Sequence, residues 1–164
     1  MDLFQFGLLT ACLLVALVAG FTFAFACIVM PGTGSLSDRE FLVSFQAADR
    51  VIQNGQPLFL LVWLGSAVAL LATTVLGFGR LDGLDRLLLV GAAVLFVGGV
   101  QIPTATINVP LNNQLQALDL RSLSEEAVVD ARRVFERRWN RWNQIRTVLG
   151  IVTAALLLAL ILRL

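Results

Sequence analysis

Four long apolar segments constrain this chain more than any other feature of its sequence. They cover residues 3–30, 57–78, 87–108 and 144–162, and each has the roughly 20 largely apolar residues that crossing a bilayer requires. Because lipid offers the backbone no hydrogen-bond partner, each segment must be helical. Only 14% of the residues are charged, against about 25% in soluble domains. The sequence therefore predicts an all-α fold, a membrane-embedded four-helix bundle in a single domain over residues 1–164.

The connections between these segments are unequal in length. A tight turn joins the second and third, whereas the first connection has a capping-box pair, Ser37 with Glu40, followed by apolar residues that recur on one helical face. In the third connection Ser122 with Glu125 has the same spacing, and no helix breaker follows before residue 161. We expect an amphipathic helical first connection. We also expect a fourth helix of about 38 residues, roughly 57 Å long, that projects from the bilayer.

The distribution of arginine indicates how the chain lies in its membrane. All twelve basic residues are arginines, and most fall in the two long connections, which an even number of spans places on one side. The positive-inside rule then puts those connections in the cytoplasm, and we expect a multi-pass protein of the cell membrane, the inner membrane of a bacterium. The net charge is +1, and no long basic stripe predicts a nucleic-acid partner.

The inventory of metal-ligating side chains is small. The chain has no histidine, and its two cysteines, Cys12 and Cys27, lie in the same apolar segment. Fifteen helical residues separate them by about 22 Å, which is far beyond the reach of a disulfide. Most zinc, haem and di-iron ligand sets are thereby excluded, so we expect no metal or cofactor.

Uncharged polar residues cluster where the third span ends. At spacings of three and four they share one helical face, and the set is Gln101, Thr104, Asn108 and Asn112. Pro103 and Pro110 interrupt the same stretch, and each proline removes a backbone donor and frees a carbonyl one turn earlier. The sequence predicts a kinked stripe of amides, hydroxyls and spare carbonyls.

Two further polar groups lie on the same side of the membrane. On the fourth helix, Trp139, Asn143 and Arg146 share a face, with Trp142 beside them. In the first connection, Gln46, Asp49 and Gln53 share another face. Buried polar groups need partners, so we expect the three groups to face each other. Arg146 should then pair with Asp49, Asn108 or Asn112.

Two interpretations of this constellation remain open. In the first it is a structural clasp that ties the connections to the helix ends, with the tryptophans as interface anchors. The protein would then be a non-enzymatic scaffold or subunit of the membrane, with a homo-oligomer or partner surface at the small residues Ala16, Gly20 and Ala24. In the second it is a polar intramembrane pocket for a small aromatic ligand, with tryptophan walls and amide donors.

Four motifs resemble those of one known family. They are VMPG at 29–32, FLVSFQAADRVIQ at 41–53, TINVPLNNQL at 106–115 and RWNRWNQIRTVL at 138–149. In these segments the chain is similar to the anthrone oxygenase family, the integral membrane proteins also grouped as domain of unknown function 1772. The resemblance covers nearly the whole chain in the right order. It implies a four-helix membrane bundle.

For some members the resemblance also implies oxidation of an anthrone to an anthraquinone without a metal or flavin. Asp49 would then be the base that removes the carbon-bound proton, and Asn108, Asn112 and Arg146 would stabilise the resulting anion. Trp139 and Trp142 would stack on the rings. The remaining substrate contacts would come from Gln46, Gln101, Thr104 and Asn143.

Overall fold

The computed structural model describes the whole chain, residues 1–164, and consists of five helices without strands. They are α1 (Leu3–Gly34), α2 (Asp38–Gln53), α3 (Pro57–Phe78), α4 (Gly83–Gln116) and α5 (Glu125–Arg163). All but α2 are long and apolar enough to cross a membrane. The predicted all-α, four-span fold is confirmed, whereas the single domain over 1–164 stays a prediction.

The four long helices pack in a ring. The α1 helix lies against α3 and α5, and α4 completes the ring by contacting α5 and α3. Their inward faces form an apolar core whose fully buried side chains include Leu8, Val15, Leu70, Leu89, Phe96 and Leu157. The outward faces carry exposed large hydrophobic residues such as Val75 and Leu162. An apolar surface of this extent suits contact with lipid.

Three prolines lie within the long helices without ending them. Each follows a wide, π-helical turn, at Phe25–Val29 before Pro31, at Val97–Gln101 before Pro103 and at Thr104–Asn108 before Pro110. A wide turn absorbs the clash between the proline ring and the preceding turn. The α4 helix therefore continues to Gln116, and its polar stripe is helical beyond the predicted end of the third span at residue 108.

A second apolar core lies under α2. This amphipathic helix packs across α5 and the end of α4, and the core includes Phe41, Leu42, Phe45, Leu115, Val128 and Phe135. At its start, the Glu40 carboxylate accepts from the Ser37 amide at 3.1 Å and from the Ser37 hydroxyl at 2.6 Å. The predicted capping pair is confirmed, and these hydrogen bonds hold the pKa of Glu40 below its usual range. The α2 helix thus forms a lid over one end of the bundle.

The start of α5 differs in one detail from the sequence prediction. Ser124 caps the helix, with its hydroxyl oxygen accepting from the Ala127 amide at 3.3 Å. The proposed Ser122–Glu125 pair is wrong, because Ser122 lies in the preceding turn and donates to the Asp119 carbonyl. The length prediction holds, since α5 has 39 residues.

The small-residue stripe of α1 contacts no other helix closely. Ala16 and Gly20 are exposed, and a side chain added at Gly20 would meet nothing within 4 Å. The close approach of α1 to α5 instead occurs where a Cβ on Gly150 would lie 3.3 Å from the Ala19 Cβ. A partner or oligomer at the Ala16, Gly20 and Ala24 face stays a prediction.

At the end of the bundle that holds both chain termini, the neighbouring helices pack most closely around Gly77. A Cβ there would lie 2.6 Å from both the Phe4 ring and Leu89 Cδ2, and both side chains are buried. We expect Gly77→Ala to lower the free energy of unfolding in detergent by about 1–3 kcal/mol. Gly91→Ala is the control, because a Cβ added to Gly91 would meet nothing within 4 Å. An equal loss in both variants would mean that Gly77 does not pack closely against Phe4 and Leu89.

Candidate functional site

A cavity of about 260 Å³ lies where the two apolar cores meet. This volume is just below the roughly 300 Å³ at which typical ligand pockets begin. Its wall is mostly apolar and includes six aromatic side chains from α1, α2, α3 and α5, which are Phe21, Phe25, Phe45, Phe59, Trp63 and Trp139. The polar residues of the wall come from α2, α4 and α5 and include Asp49, Gln53, Thr104, Asn108, Asn112, Asn113 and Arg146.

The aromatic wall presents two packed groups. On the α3 side, Phe59 stacks on Trp63 with ring centroids 5.4 Å apart and an angle of 21° between the rings. On the side of α2 and α5, Phe45 meets Trp139 edge-on at 5.2 Å. Rings that pack against one another in this way hold their faces in place. The cavity therefore has aromatic surfaces whose orientation is fixed by ring packing.

Asp49 is the acidic residue of the cavity, and only 5% of it is exposed. Its carboxylate accepts from three amides, Gln53 Nε2 at 2.6 Å, Asn112 Nδ2 at 2.7 Å and Gln116 Nε2 at 3.1 Å. These donors are all uncharged. Amide hydrogen bonds replace part of the hydration that a carboxylate loses on burial, so Asp49 is held in place without a cationic partner.

Arg146 is the basic residue of the cavity, and it too is only 5% exposed. Its Nη1 donates to the Thr104 hydroxyl and its Nη2 to Asn143 Oδ1, both at 2.9 Å. Its guanidinium carbon lies 5.8 Å from the centre of the Trp139 ring. Its Nε has no hydrogen-bond partner. The predicted pairing with Asp49, Asn108 or Asn112 is wrong, because α4 and α5 place Thr104 and Asn143 nearer to the guanidinium.

Asn112 links the acidic side of the cavity to the aromatic wall. Its Nδ2 donates to Asp49, and its Oδ1 accepts from the indole Nε1 of Trp139 at 2.9 Å. An ionised carboxylate only accepts and an indole N–H only donates, so these two partners fix the orientation of the amide. The Asn112 side chain therefore holds both Asp49 and Trp139 in position.

Asn108 is buried to 2% exposure but is poorly satisfied. Its Nδ2 makes a long 3.5 Å contact with the Trp139 carbonyl, and its Oδ1 has no partner. Arg146 Nε and Asn108 Oδ1 are the two buried side-chain polar atoms of the chain that lack a hydrogen bond. Such atoms are uncommon in folded proteins, and both belong to residues that line the cavity.

The structure brings most of the predicted site residues to this cavity. Six of them line it, namely Asp49, Thr104, Asn108, Asn112, Trp139 and Arg146. Asn143 lies behind the wall, where it holds Arg146 and donates to the Thr22 carbonyl at 3.0 Å. Its place is therefore next to the guanidinium rather than on the cavity surface.

Three further predicted substrate contacts are absent from the cavity wall. Gln46 fastens α2 to the end of α4 by donating to the Leu115 and Leu118 carbonyls at 2.8 and 3.1 Å. Gln101 Nε2 donates to the Trp63 carbonyl oxygen at 3.4 Å. Trp142 lies on the outer face of α5, where it lines a groove with four arginines. These three residues therefore lie outside the cavity wall.

Sequence reasoning missed the aromatic residues contributed by α1 and α3. Phe21 and Phe25 lie in an apolar segment with no polar pattern, so their sequence gives no sign of the face they occupy. Trp63 did offer a signal, since it is six residues into the second span, on the same side of the membrane as the polar groups. A tryptophan at that depth, beside a polar stripe, indicates a cavity wall as well as an interface anchor.

The cavity wall contains one carboxylate, of Asp49, and one guanidinium, of Arg146, and the two do not form an ion pair with each other. A carboxylate at the wall can accept a proton from a bound molecule. A guanidinium with amides beside it can stabilise negative charge that develops there, because fixed donors act strongly where water is scarce. The cavity wall therefore combines a group that can accept a proton with groups that can stabilise negative charge.

Comparison with known proteins identifies one family. The model of a family described as anthrone oxygenase matches residues 48–156, well over half of the chain. The matched stretch contains Asp49, Asn108, Asn112, Trp139 and Arg146. No curated protein and no solved structure matches the chain. On the strength of that match, with four helices able to cross a membrane, this multi-pass membrane protein belongs to the anthrone oxygenase family, also grouped as domain of unknown function 1772.

Proposed function

We propose that this protein is a membrane-bound oxygenase that binds an anthrone-like aromatic substrate in the cavity and oxidises it with dioxygen. The observation that carries the proposal is the pair of buried, separately held charges, Asp49 and Arg146, in a cavity with aromatic walls. Burying a charge is costly. A purely structural clasp would gain more from joining the two residues as an ion pair than from holding each among neutral groups.

The chemistry needs only dioxygen and the side chains of the cavity. Asp49 takes a proton from the CH₂ carbon that lies between the two outer rings, and the electron pair is delocalised onto the carbonyl oxygen of the central ring, which becomes a phenolate. Arg146 and Asn108 stabilise that oxygen. Dioxygen adds to the carbanion and the product is protonated to a hydroperoxide, which loses water to leave a carbonyl. One dioxygen thus supplies one oxygen atom to the quinone and one to water.

The amide contacts between α2 and α4 are also consistent with the interpretation of the polar residues as a structural clasp. Gln46 Nε2 donates to the Leu115 carbonyl in α4 and to the Leu118 carbonyl just after it, and Gln116 Nε2 donates to the Gln46 carbonyl at 2.8 Å. We interpret these bonds as the fastening of the lid over the cavity. A non-enzymatic scaffold remains the alternative outcome of the assay below.

The test is oxidation of emodin anthrone by the protein reconstituted in liposomes. We expect emodin to form with one dioxygen consumed per quinone, at a rate well above that of protein-free liposomes, which corrects for spontaneous oxidation of the anthrone. Binding is measured in parallel without oxygen, by quenching of the Trp63 and Trp139 fluorescence. Neither turnover nor quenching above the protein-free background would refute the proposal and leave the scaffold.

Filling the cavity provides a variant with a matched neighbour. Ala48 lines the cavity, whereas Ala47, also exposed on α2, does not. We expect Ala48→Phe to weaken anthrone binding by at least about tenfold, because the new ring occupies substrate volume, and Ala47→Phe to leave binding unchanged. The quenching titration gives both affinities. Equal affinities in the two variants would place the ligand elsewhere.

We also propose that the lid side faces the cytoplasm of a bacterial cell, with the spans in its inner membrane. Five exposed arginines on that side form no ion pair within the chain, namely Arg50, Arg121, Arg137, Arg138 and Arg141. Unpaired positive charge flanking the spans supports a cytoplasmic location. Cysteine labelling of Arg121→Cys from either side of intact cells, in a background with Cys12 and Cys27 replaced, tests the orientation.

A further inference from the structure

The outer face of α5 carries an arginine cluster that the cavity does not use. The cluster lines an open groove of about 420 Å³ formed by Arg133, Val134, Arg137, Arg138, Arg141 and Trp142. Arg133 pairs with Asp130 at 2.7 Å, and both side chains are largely exposed. The three other arginines form no ion pair or hydrogen bond within the chain. The groove therefore presents several guanidinium groups with free donors.

This groove lies at the level where α5 enters its apolar stretch. Val148 and Val152 continue the same face of the helix and are 58% and 39% exposed, so they are available to lipid chains. At 1.5 Å per residue, Arg141 lies about 10 Å along the axis from Val148. The headgroup layer of a bilayer adds roughly 5–8 Å on each side of the hydrocarbon. Arg141, the arginine of the groove nearest the apolar stretch, thus lies close to headgroup height above a lipid-contacting surface, and the other three arginines follow farther from the bilayer.

We propose that this groove binds the headgroup of an anionic phospholipid whose acyl chains pack against Val148 and Val152. Guanidinium groups bind phosphate oxygens with paired hydrogen bonds, and Asp130, at the edge of the groove, is already occupied by Arg133. Trp142 is half-buried beside the arginines, as suits a ring at the membrane interface. A soluble phosphate would use the guanidinium groups alone, whereas a phospholipid uses the arginines together with the apolar face below them.

The test compares two double variants that remove equal charge from the same side of the membrane. Arg137→Gln/Arg141→Gln alters the groove, and Arg50→Gln/Arg121→Gln is the matched control, since those arginines are exposed and unpaired but lie elsewhere. Each protein is reconstituted in bilayers that contain brominated phosphatidylglycerol or brominated phosphatidylcholine. Quenching of Trp142 by the bromine, obtained as the difference from a Trp142→Phe background, reports the lipid at the groove.

We expect the unaltered protein to prefer phosphatidylglycerol, and the groove variant to lose about 25-fold of that preference, since each of the two basic residues near an anionic surface adds roughly fivefold. The control should lose less than about threefold. An equal loss of preference in both variants would mean that surface charge alone causes the effect, and it would overturn the proposal. The absence of any preference for phosphatidylglycerol in the unaltered protein would also overturn it. Anthrone turnover is a separate readout, so its failure would leave the lipid result standing.

Discussion

Replacing Asp49 with asparagine should lower anthrone turnover by about 10²–10⁴-fold, the range that loss of a general base produces. The carboxamide keeps the size of the side chain but does not accept the substrate proton. It also brings a donor toward Gln53, Asn112 and Gln116, which already donate to this position. We therefore expect a second effect, a loss of about 1–3 kcal/mol in the free energy of unfolding.

Separating these two effects requires binding and stability measurements beside the rate. In Asp49→Asn, anthrone should still quench the cavity tryptophans, because the aromatic wall is intact. Asp130→Asn serves as the control, since Asp130 is exposed and contacts only Arg133. It should leave turnover unchanged. Full turnover in a folded Asp49→Asn protein would remove Asp49 from the role of base.

Arg146→Met should uncouple activity from stability. Turnover should fall by about 10²–10³-fold, as when one donor to a developing oxyanion is removed. The free energy of unfolding should stay the same or rise. The guanidinium is buried without a carboxylate, and its Nε lacks a partner, so an apolar side chain of similar length removes a desolvated charge. That gain offsets the cost of leaving Thr104 Oγ1 and Asn143 Oδ1 without the donor that Arg146 supplies. Methionine also packs well against aromatic rings such as Trp139.

Arg132→Met provides the contrast on the same helix. Arg132 contacts Asp38 at 2.9 Å, Glu136 at 2.8 Å and the Gly34 and Leu36 carbonyls. Removing it leaves two acids and two carbonyls without their donor, so we expect a loss of roughly 3 kcal/mol. Chemical unfolding in detergent measures both variants. A large loss of stability in Arg146→Met would mean that the buried guanidinium serves the fold, and would favour the clasp.

The architecture was predictable because its causes are local or apply to whole segments. Hydrophobic length alone located the spans, and α3 begins and ends at the predicted residues, 57 and 78. The Ser37–Glu40 cap and the Arg132–Glu136 pair involve residues three and four apart, which face each other in any helix. The length of α5 followed from the absence of a breaker.

The site was predictable only in outline. Periodicity identified the stripe of Thr104, Asn108 and Asn112 and the face of Trp139 and Arg146, and the lining of the cavity contains all five. Periodicity does not say which groups meet across helices. The partners of Arg146 depend on how α4 and α5 are rotated, and the wide turns before Pro103 and Pro110 change that rotation.

The sequence by itself thus determined which segments cross the membrane, where α2 begins and which residue types are held near one membrane surface. Hydrophobicity and helical periodicity decide these features within single segments. The tertiary structure alone decided that Asp49 and Arg146 remain unpaired, that Phe21, Phe25 and Trp63 complete the wall and that Trp142 faces outward. Those outcomes depend on how helices far apart in the chain pack together, and the spacing of residues along one helix does not determine that packing.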